Sequence, residues 1–217
     1  MSNYEILIKK LSSASTCLIV VSKMQELEKV LSIYNKGNKI FAENKPQELV
    51  LKYNALPKDI EWHMIGHLQK NKVKLIAPFV RMIHSIDSFE LAQTVNKYAE
   101  LNHRKIEILL QIKLSKEESK QGFEYPTLIE SLKCYSWASL AHISVRGIMG
   151  MGSLSDKEEV TRQEFRQLKK YFIDLKNMYF NNENFTEISM GMSNDYQIAL
   201  EEGSTMLRLG SIIFQDK

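Results

Sequence analysis

Lys23 follows an apolar run and a serine in LIVVSK (18–23). A lysine delivered to the end of a buried strand can attack a carbonyl once desolvation or a nearby cation lowers its pKa. The alternative is a solvated lysine in a turn. Near the other end of the chain, SMGMSND (189–195) and LRLGS (207–211) place Gly191, Ser193, Gly210 and Ser211 at the ends of two further apolar segments. Ser193 or Asn194 can cap a helix over 195–202, and the free N–H groups of its first turn attract an anion. Gly210 and Ser211 add N–H and hydroxyl donors. Arg208 interrupts a segment where bulky aliphatic residues are expected; if buried it needs a partner, a ligand atom or a carboxylate elsewhere in the fold. His63 and His67 have the spacing of zinc ligands on a helix, but EWHMIG (61–66) reads as a strand and its turn, so metal binding is not expected.

Short apolar, β-branched segments recur from end to end: CLIVVS (17–22), KIFAE (39–43), EWHMIG (61–66), RMIHSID (81–87), IEILLQIK (106–113), SVRGIMG (144–150), TEISMG (186–191) and TMLRLG (205–210). Several are nearly continuous apolar runs, the pattern of strands covered on both faces. Amphipathic patterns fill the gaps. Tyr4, Leu7, Ile8 and Leu11 fall on one helical stripe. Ser88 can cap a helix whose apolar face is Leu91, Ala92, Val95, Tyr98 and Ala99; Phe165, Leu168, Phe172 and Leu175 mark a longer helix. The Asn-rich stretch NMYFNNENF (177–185) reads as a surface loop.

Strand–helix alternation implies right-handed βαβ units and a parallel sheet. The prediction is an α/β fold, a single (β/α)8 TIM barrel over 1–217 with an extra N-terminal helix and no C-terminal β domain; an open doubly wound sheet is the alternative. A helix precedes the first strand while only IIFQDK (212–217) follows the eighth. In a closed barrel the first helix can cover the seam between strands eight and one.

Barrel chemistry sits at the C-terminal strand ends. Gly66, Gly150, Gly152, Gly191 and Gly210 all fall there. Glycine lets a backbone approach a ligand closely, although turns after strands favour glycine in any case. The loops after strands seven and eight are the usual phosphate site of barrel enzymes. A phosphate pocket there and a lysine on strand one suggest a phosphorylated aldehyde, pyridoxal 5′-phosphate, with Arg208 facing its pyridine nitrogen. The methionines near the strand ends, among them Met149, Met190 and Met206, read as core and ring packing.

Composition narrows the field. Of 217 residues, 29 are Lys or Arg and 26 Asp or Glu, a net charge of +3, so there is no electrostatic case for a nucleic-acid or membrane partner. Cys17 and Cys134 are in no ligand-like spacing; they read as buried small hydrophobes in a reducing, cytoplasmic protein. The opening residues carry charges within every apolar stretch and do not read as a signal peptide. KEESK (116–120) reads as a solvated face, with Lys120 able to attract an anionic cofactor if it lies near the site.

The chain resembles the pyridoxal phosphate homeostasis proteins, relatives of the N-terminal barrel of bacterial alanine racemase. The matching blocks are VVSK (20–23), FAEN with Gln47 and Glu48, IEWHMIGHLQKNK (60–72), IHSIDS (83–88), QIKLSKEESKQGF (111–123), VRGIM (145–149) and SMGMSNDYQIALEEGSTMLRLGSIIF (189–214). The resemblance implies that Lys23 forms a Schiff base with pyridoxal phosphate and that Ser193, Gly210 and Ser211 hold its phosphate. It implies that Arg208 faces the pyridine nitrogen, that Asn44 and Met149 lie near the ring, and that His67, Asn71 and Lys72 rim the site. Ala42, Lys45 and Met24-Gln25 depart from the family's usual glycine, aromatic and Thr-Lys, and GS replaces GT after the eighth strand.

Two functions follow. One is a non-catalytic cofactor handler in intracellular pyridoxal phosphate homeostasis, a monomer that buffers the cofactor and delivers it to apo-enzymes. The other is a pyridoxal-dependent amino-acid racemase. A two-base racemase needs a second acid/base opposite the lysine. In the racemase relatives that residue comes from a second domain, and 217 residues leave no room for one. An arginine at the pyridine nitrogen keeps it unprotonated and weakens the electron sink. The handler is the expected function. A barrel binding another phosphorylated metabolite without covalent chemistry is the third reading.

Overall fold

The computed structural model describes residues 2–11, 16–114, 121–153, 155 and 157–214. Eight strands close in sequence order into a parallel barrel: β1 (Cys17–Val21), β2 (Ile40–Glu43), β3 (Glu61–Met64), β4 (Met82–Ile86), β5 (Ile106–Ile112), β6 (Ile143–Gly150), β7 (Glu187–Ser189) and β8 (Met206–Leu209). The ring closes through the register Cys17↔Met206 to Val20↔Leu209. All eight expected segments form strands, and the open-sheet alternative is excluded. Around them lie α1 (Asn3–Leu11), α2 (Leu27–Asn35), α3 (Pro46–Ala55), α4 (Val73–Ile76), α5 (Phe89–Leu101), α6 (Tyr125–Cys134), α7 (Glu158–Met178), α8 (Tyr196–Glu201) and α9 (Ser211–Phe214).

The strands carry two sets of side chains because successive residues point to opposite faces. Val20, Phe41, Trp62, Ile83, Ile108, Ile148 and Leu207 face the helices and are fully buried. Ile19, Val21, Ala42, Met82, Leu109, Met149 and Met206 pack in the lumen. Around the barrel floor, charges alternate from strand to strand. Arg81 reaches Glu61 (3.6 Å) and Glu107 (3.1 Å), while Arg146 reaches Glu107 (3.6 Å) and Glu187 (4.0 Å). A network of this kind holds register better than isolated surface pairs do.

The helices follow their apolar stripes, with local differences. Ser88 Oγ accepts the Leu91 N–H at 3.3 Å and starts α5, which buries Leu91, Ala92, Val95 and Ala99. In α1, Tyr4, Leu7 and Leu11 are buried but Ile8 stays exposed, because the face this helix presents is narrower than its apolar stripe. It packs on α9, the short helix that follows β8. The Asn-rich stretch is a loop only from Tyr179 on, since α7 runs to Met178. The loop is pinned by Phe185, which is fully buried and stacks on Phe172 and Phe180. Neither cysteine is a buried core residue. Cys134 is exposed at the end of α6, and Cys17 is half-buried at the floor. Burial, then the Glu187 and Glu61 charges, push the Cys17 thiol up to about 11, so it is inert at neutral pH.

Candidate functional site

Ile19 and Val21 face the lumen, β1 ends at Val21, and Lys23 follows in an exposed turn at the C-terminal mouth. The peptide that leads to it is held on three sides. Ser22 N donates to the Ala42 carbonyl at 3.0 Å, Ser22 Oγ donates to Glu43 Oε1 at 2.7 Å, and Lys52 Nζ donates to the Ser22 carbonyl at 2.5 Å. Lys52 Nζ also lies 2.5 Å from Glu43 Oε1, in an ion pair buried between β2 and α3. Beyond Lys23 the chain turns through Met24 with φ +61°, a left-handed conformation that few non-glycine residues adopt. The Glu43–Lys52 pair was not legible as a site element, since Lys52 lies on a weakly patterned helix.

Asn44, half-buried, follows β2 at the same mouth. A Cβ on Gly66 would stand 2.2 Å from the Asn44 carbonyl oxygen, so glycine is what allows the end of β3 to pass beside it. His67 lies on the rim, 3.6 Å from Asp87 Oδ2, with Asn71 exposed and Lys72 half-buried in the 3₁₀ turn that follows. Met149 is fully buried in the lumen. Lys120 lies outside the described residues.

The ends of β7 and β8 meet at this mouth beside β1. A Cβ on Gly210 would fall 2.8 Å from the Val21 carbonyl oxygen, so the two chain ends run in close contact. Gly191 has φ +94°, and its missing side chain makes room for Ala199 and Leu207. The expected helix cap is corrected here. The helix is Tyr196–Glu201 with Asp195 at its N-cap, and no side chain caps it. The Asp195 carboxylate instead accepts the Met192 N–H at 2.5 Å, and Ser193 Oγ accepts the Ile212 N–H at 3.3 Å. Ser193 thereby ties the β7 loop to the β8 loop, next to half-buried Gly210 and exposed Ser211.

Arg208 is buried in the lumen. Nη1 donates to Ser189 Oγ at 2.6 Å and Nη2 to the Gly150 carbonyl at 3.0 Å. Among the described residues it forms no ion pair with a carboxylate, so the carboxylate partner considered from sequence is not found. Asp195 lies near enough to favour its charge, but burial dominates and lowers its pKa to about 10, still well above neutral. Two histidines complete the arrangement. His84 Nδ1 lies 2.9 Å from Ser189 Oγ, and His84 Nε2 lies 3.0 Å from His63 Nδ1. Burial, then the Arg81 charge, lower His63 to about 3; burial, then His63 and Arg208, hold His84 well below its usual value. Both rings are neutral at physiological pH. Sequence reasoning paired His63 with His67 and missed His84. The available signal was a histidine at the centre of each of two successive, mostly apolar strands, EWHM and MIHSI.

The barrel and its mouth define the class. The family model for the alanine racemase N-terminal domain matches residues 1–217. Among curated relatives, the chain is 36% identical to the pyridoxal phosphate homeostasis protein of Aquifex aeolicus over 201 residues, covering 92% of this chain and 86% of that one. It is 34% identical to that of Helicobacter pylori strain 26695 over 224 residues, covering 98% and 96%. The chain belongs to the pyridoxal phosphate homeostasis protein family. Among solved structures, PipY of Synechococcus elongatus with pyridoxal phosphate bound superposes with a TM-score of 0.88 at 30% identity, covering 99% of this chain and all of that one. Alanine racemase of Clostridium difficile shares the fold, with a TM-score of 0.79 at 15% identity over 99% of this chain and 59% of that one.

Proposed function

We propose that this chain binds pyridoxal 5′-phosphate covalently at the barrel mouth and holds it for buffering and delivery to apo-enzymes, without turnover. The observation that carries the reading is Arg208, a buried cation hydrogen-bonded among the described residues to neutral acceptors alone, on the strand beside the one that leads to Lys23. A buried charge without a counter-ion is costly unless a ligand completes its surroundings. The donors fit this cofactor. Ser193, Gly210 and Ser211 lie on joined loops where glycine lets the backbone approach, and they would take the phosphate. Asn44 and Met149 would flank the ring, and Arg208 would donate to the pyridine nitrogen. Bound there, the group supplies an aldehyde carbon that a lysine amine takes up with loss of water, and Lys23 is the lysine assigned to it.

The binding of pyridoxal phosphate by the Synechococcus relative supports the cofactor, and the names of the curated relatives support a homeostatic role. Arg208 supports the absence of turnover. A charged guanidinium donates to the pyridine nitrogen and so leaves no proton there to draw electrons from a substrate carbanion. We place the protein in the cytoplasm as a monomer with no nucleic-acid or membrane partner; among the described residues no helix is long and apolar enough to cross a membrane. The test is reduction of the pyridoxal phosphate complex with borohydride followed by peptide mapping. A pyridoxyl adduct on Lys23 is expected. An adduct only on another lysine overturns the assignment.

A further inference from the structure

Among the described residues, Ser189 Oγ has two side-chain polar neighbours, Arg208 Nη1 at 2.6 Å and His84 Nδ1 at 2.9 Å. Arg208 can only donate, so Ser189 must accept from it. The serine's own proton then has one partner among these contacts, His84 Nδ1. A neutral imidazole that accepts at Nδ1 carries its proton on Nε2, so His84 donates to His63 Nδ1 at 3.0 Å. His63 must in turn carry its proton on Nε2. The opposite polarity would give Ser189 two incoming donors and leave its proton without an acceptor among these groups. His63, His84 and Ser189 are each buried, on β3, β4 and β7, so the chain crosses the lumen to β8.

We propose that His63, His84 and Ser189 are positioning residues for Arg208: a one-directional hydrogen-bond relay that fixes the guanidinium so that its remaining donors meet the ring nitrogen of the cofactor. This rests on the assignment of Arg208 to that nitrogen. The relay supplies acceptors without supplying a negative charge. A carboxylate in place of Ser189 would pair with Arg208 and neutralise the donor; a hydroxyl backed by neutral imidazoles orients it and leaves its charge to the ligand. Because burial keeps both rings neutral, no protonation of the relay repels Arg208 at physiological pH.

Two measurements test this on the full chain. The first is ¹⁵N NMR of the histidine rings in the ligand-free protein, where His63 and His84 should both be Nε2–H tautomers. An Nδ1–H tautomer at His84 overturns the relay. The second compares binding of pyridoxal phosphate with that of its 1-deaza analogue, in which C–H replaces the ring nitrogen. Wild type should prefer pyridoxal phosphate. Ser189→Ala and His84→Leu should shrink that preference about tenfold, the size of one charge-assisted hydrogen bond, while binding of the analogue holds. His84→Gln, which can still accept and donate, should restore most of it. Circular dichroism verifies that each variant folds. If wild type shows no preference, the Arg208 assignment falls and the relay's role falls with it. If wild type shows the preference and the variants keep it, or lose both ligands equally, the relay alone is overturned.

Discussion

Lys52 Nζ sits 2.5 Å from Glu43 Oε1 and 2.5 Å from the Ser22 carbonyl oxygen, so one buried ammonium clamps α3 to the peptide that ends in Lys23. Lys52 and Glu43 are 7% and 0% exposed, and Glu43 Oε2 has no hydrogen-bond partner among the described residues. Lys52→Met leaves a buried carboxylate with only the Ser22 hydroxyl for company. Removing one member of such a pair costs about 3–5 kcal/mol, whereas replacing both with apolar residues is often near neutral. Urea unfolding should show a loss of that size for Lys52→Met and recovery of most of it in Lys52→Met/Glu43→Leu. Equal stability of Lys52→Met and wild type would show that the clamp carries no weight.

The lumen histidines make stability depend on pH. Both are held neutral in the fold, His63 with a pKa lowered to about 3 and His84 well below its usual value. In the unfolded chain each takes a proton near about pH 6.5. Between that value and the folded pKa the unfolded state binds more protons, so stability is fully present above about pH 6.5 and falls on acidification. Each ring contributes a slope of about 1.4 kcal/mol per pH unit. Urea midpoints followed from pH 7 to pH 5, a range above most carboxylate titrations, should fall steadily in wild type and less steeply in His84→Gln. A flat profile in wild type would contradict the burial of neutral rings.

Ser211 stands exposed at the start of α9, beside Gly210 and the Ser193–Ile212 tie. With the phosphate held where we propose, Ser211→Asp sets a carboxylate against it. Like charges facing one another at a binding surface cost affinity. Binding of pyridoxal phosphate should weaken by about tenfold or more, because the site is open to solvent and partly screened. Unchanged affinity with a native circular dichroism spectrum would place the phosphate elsewhere.

The barrel was legible because its signals are local. Runs such as IEILL and CLIVV identify buried strands one at a time, and Ser88 announces α5 by itself. The mouth was legible for a similar reason: Lys23, Ser193, Gly210 and Ser211 each follow a recognisable strand. What escaped was pairing across the barrel. His63 meets His84 across 21 positions and His84 meets Ser189 across 105, contacts set by closure and not by spacing. The sequence offers Ser193 or Asn194 as a helix cap, but the Ser193 hydroxyl accepts the Ile212 N–H of the next loop, because the two loops approach more closely than either sequence indicates. Lys52 carries no signal in the sequence, since a lysine is ordinarily solvated; the fold shows that it meets Glu43 under α3.

Catalysis offers the sharpest test of the proposed function. If Lys23 carries the cofactor, as proposed, an amino acid added to the loaded protein can displace it, which requires only the lysine and an open mouth. Removing the α-proton requires more: a base near that proton and a place for the resulting charge. The freed Lys23 can serve as a base on its own side. His63 and His84 cannot serve, since they lie buried in the lumen, bonded to one another and to Ser189. If Arg208 donates to the pyridine nitrogen, as proposed, that nitrogen stays unprotonated and takes up the charge less well. Each loss of about 1.4 kcal/mol of transition-state stabilisation slows the step tenfold, so a weakened sink should leave turnover negligible. The measurement is deuterium incorporation from solvent at Cα of alanine and other amino acids, with stereochemistry followed by chiral chromatography. No exchange beyond the solution background is expected. Multiple-turnover exchange or racemisation that disappears in Lys23→Ala would establish an enzyme and refute the handler.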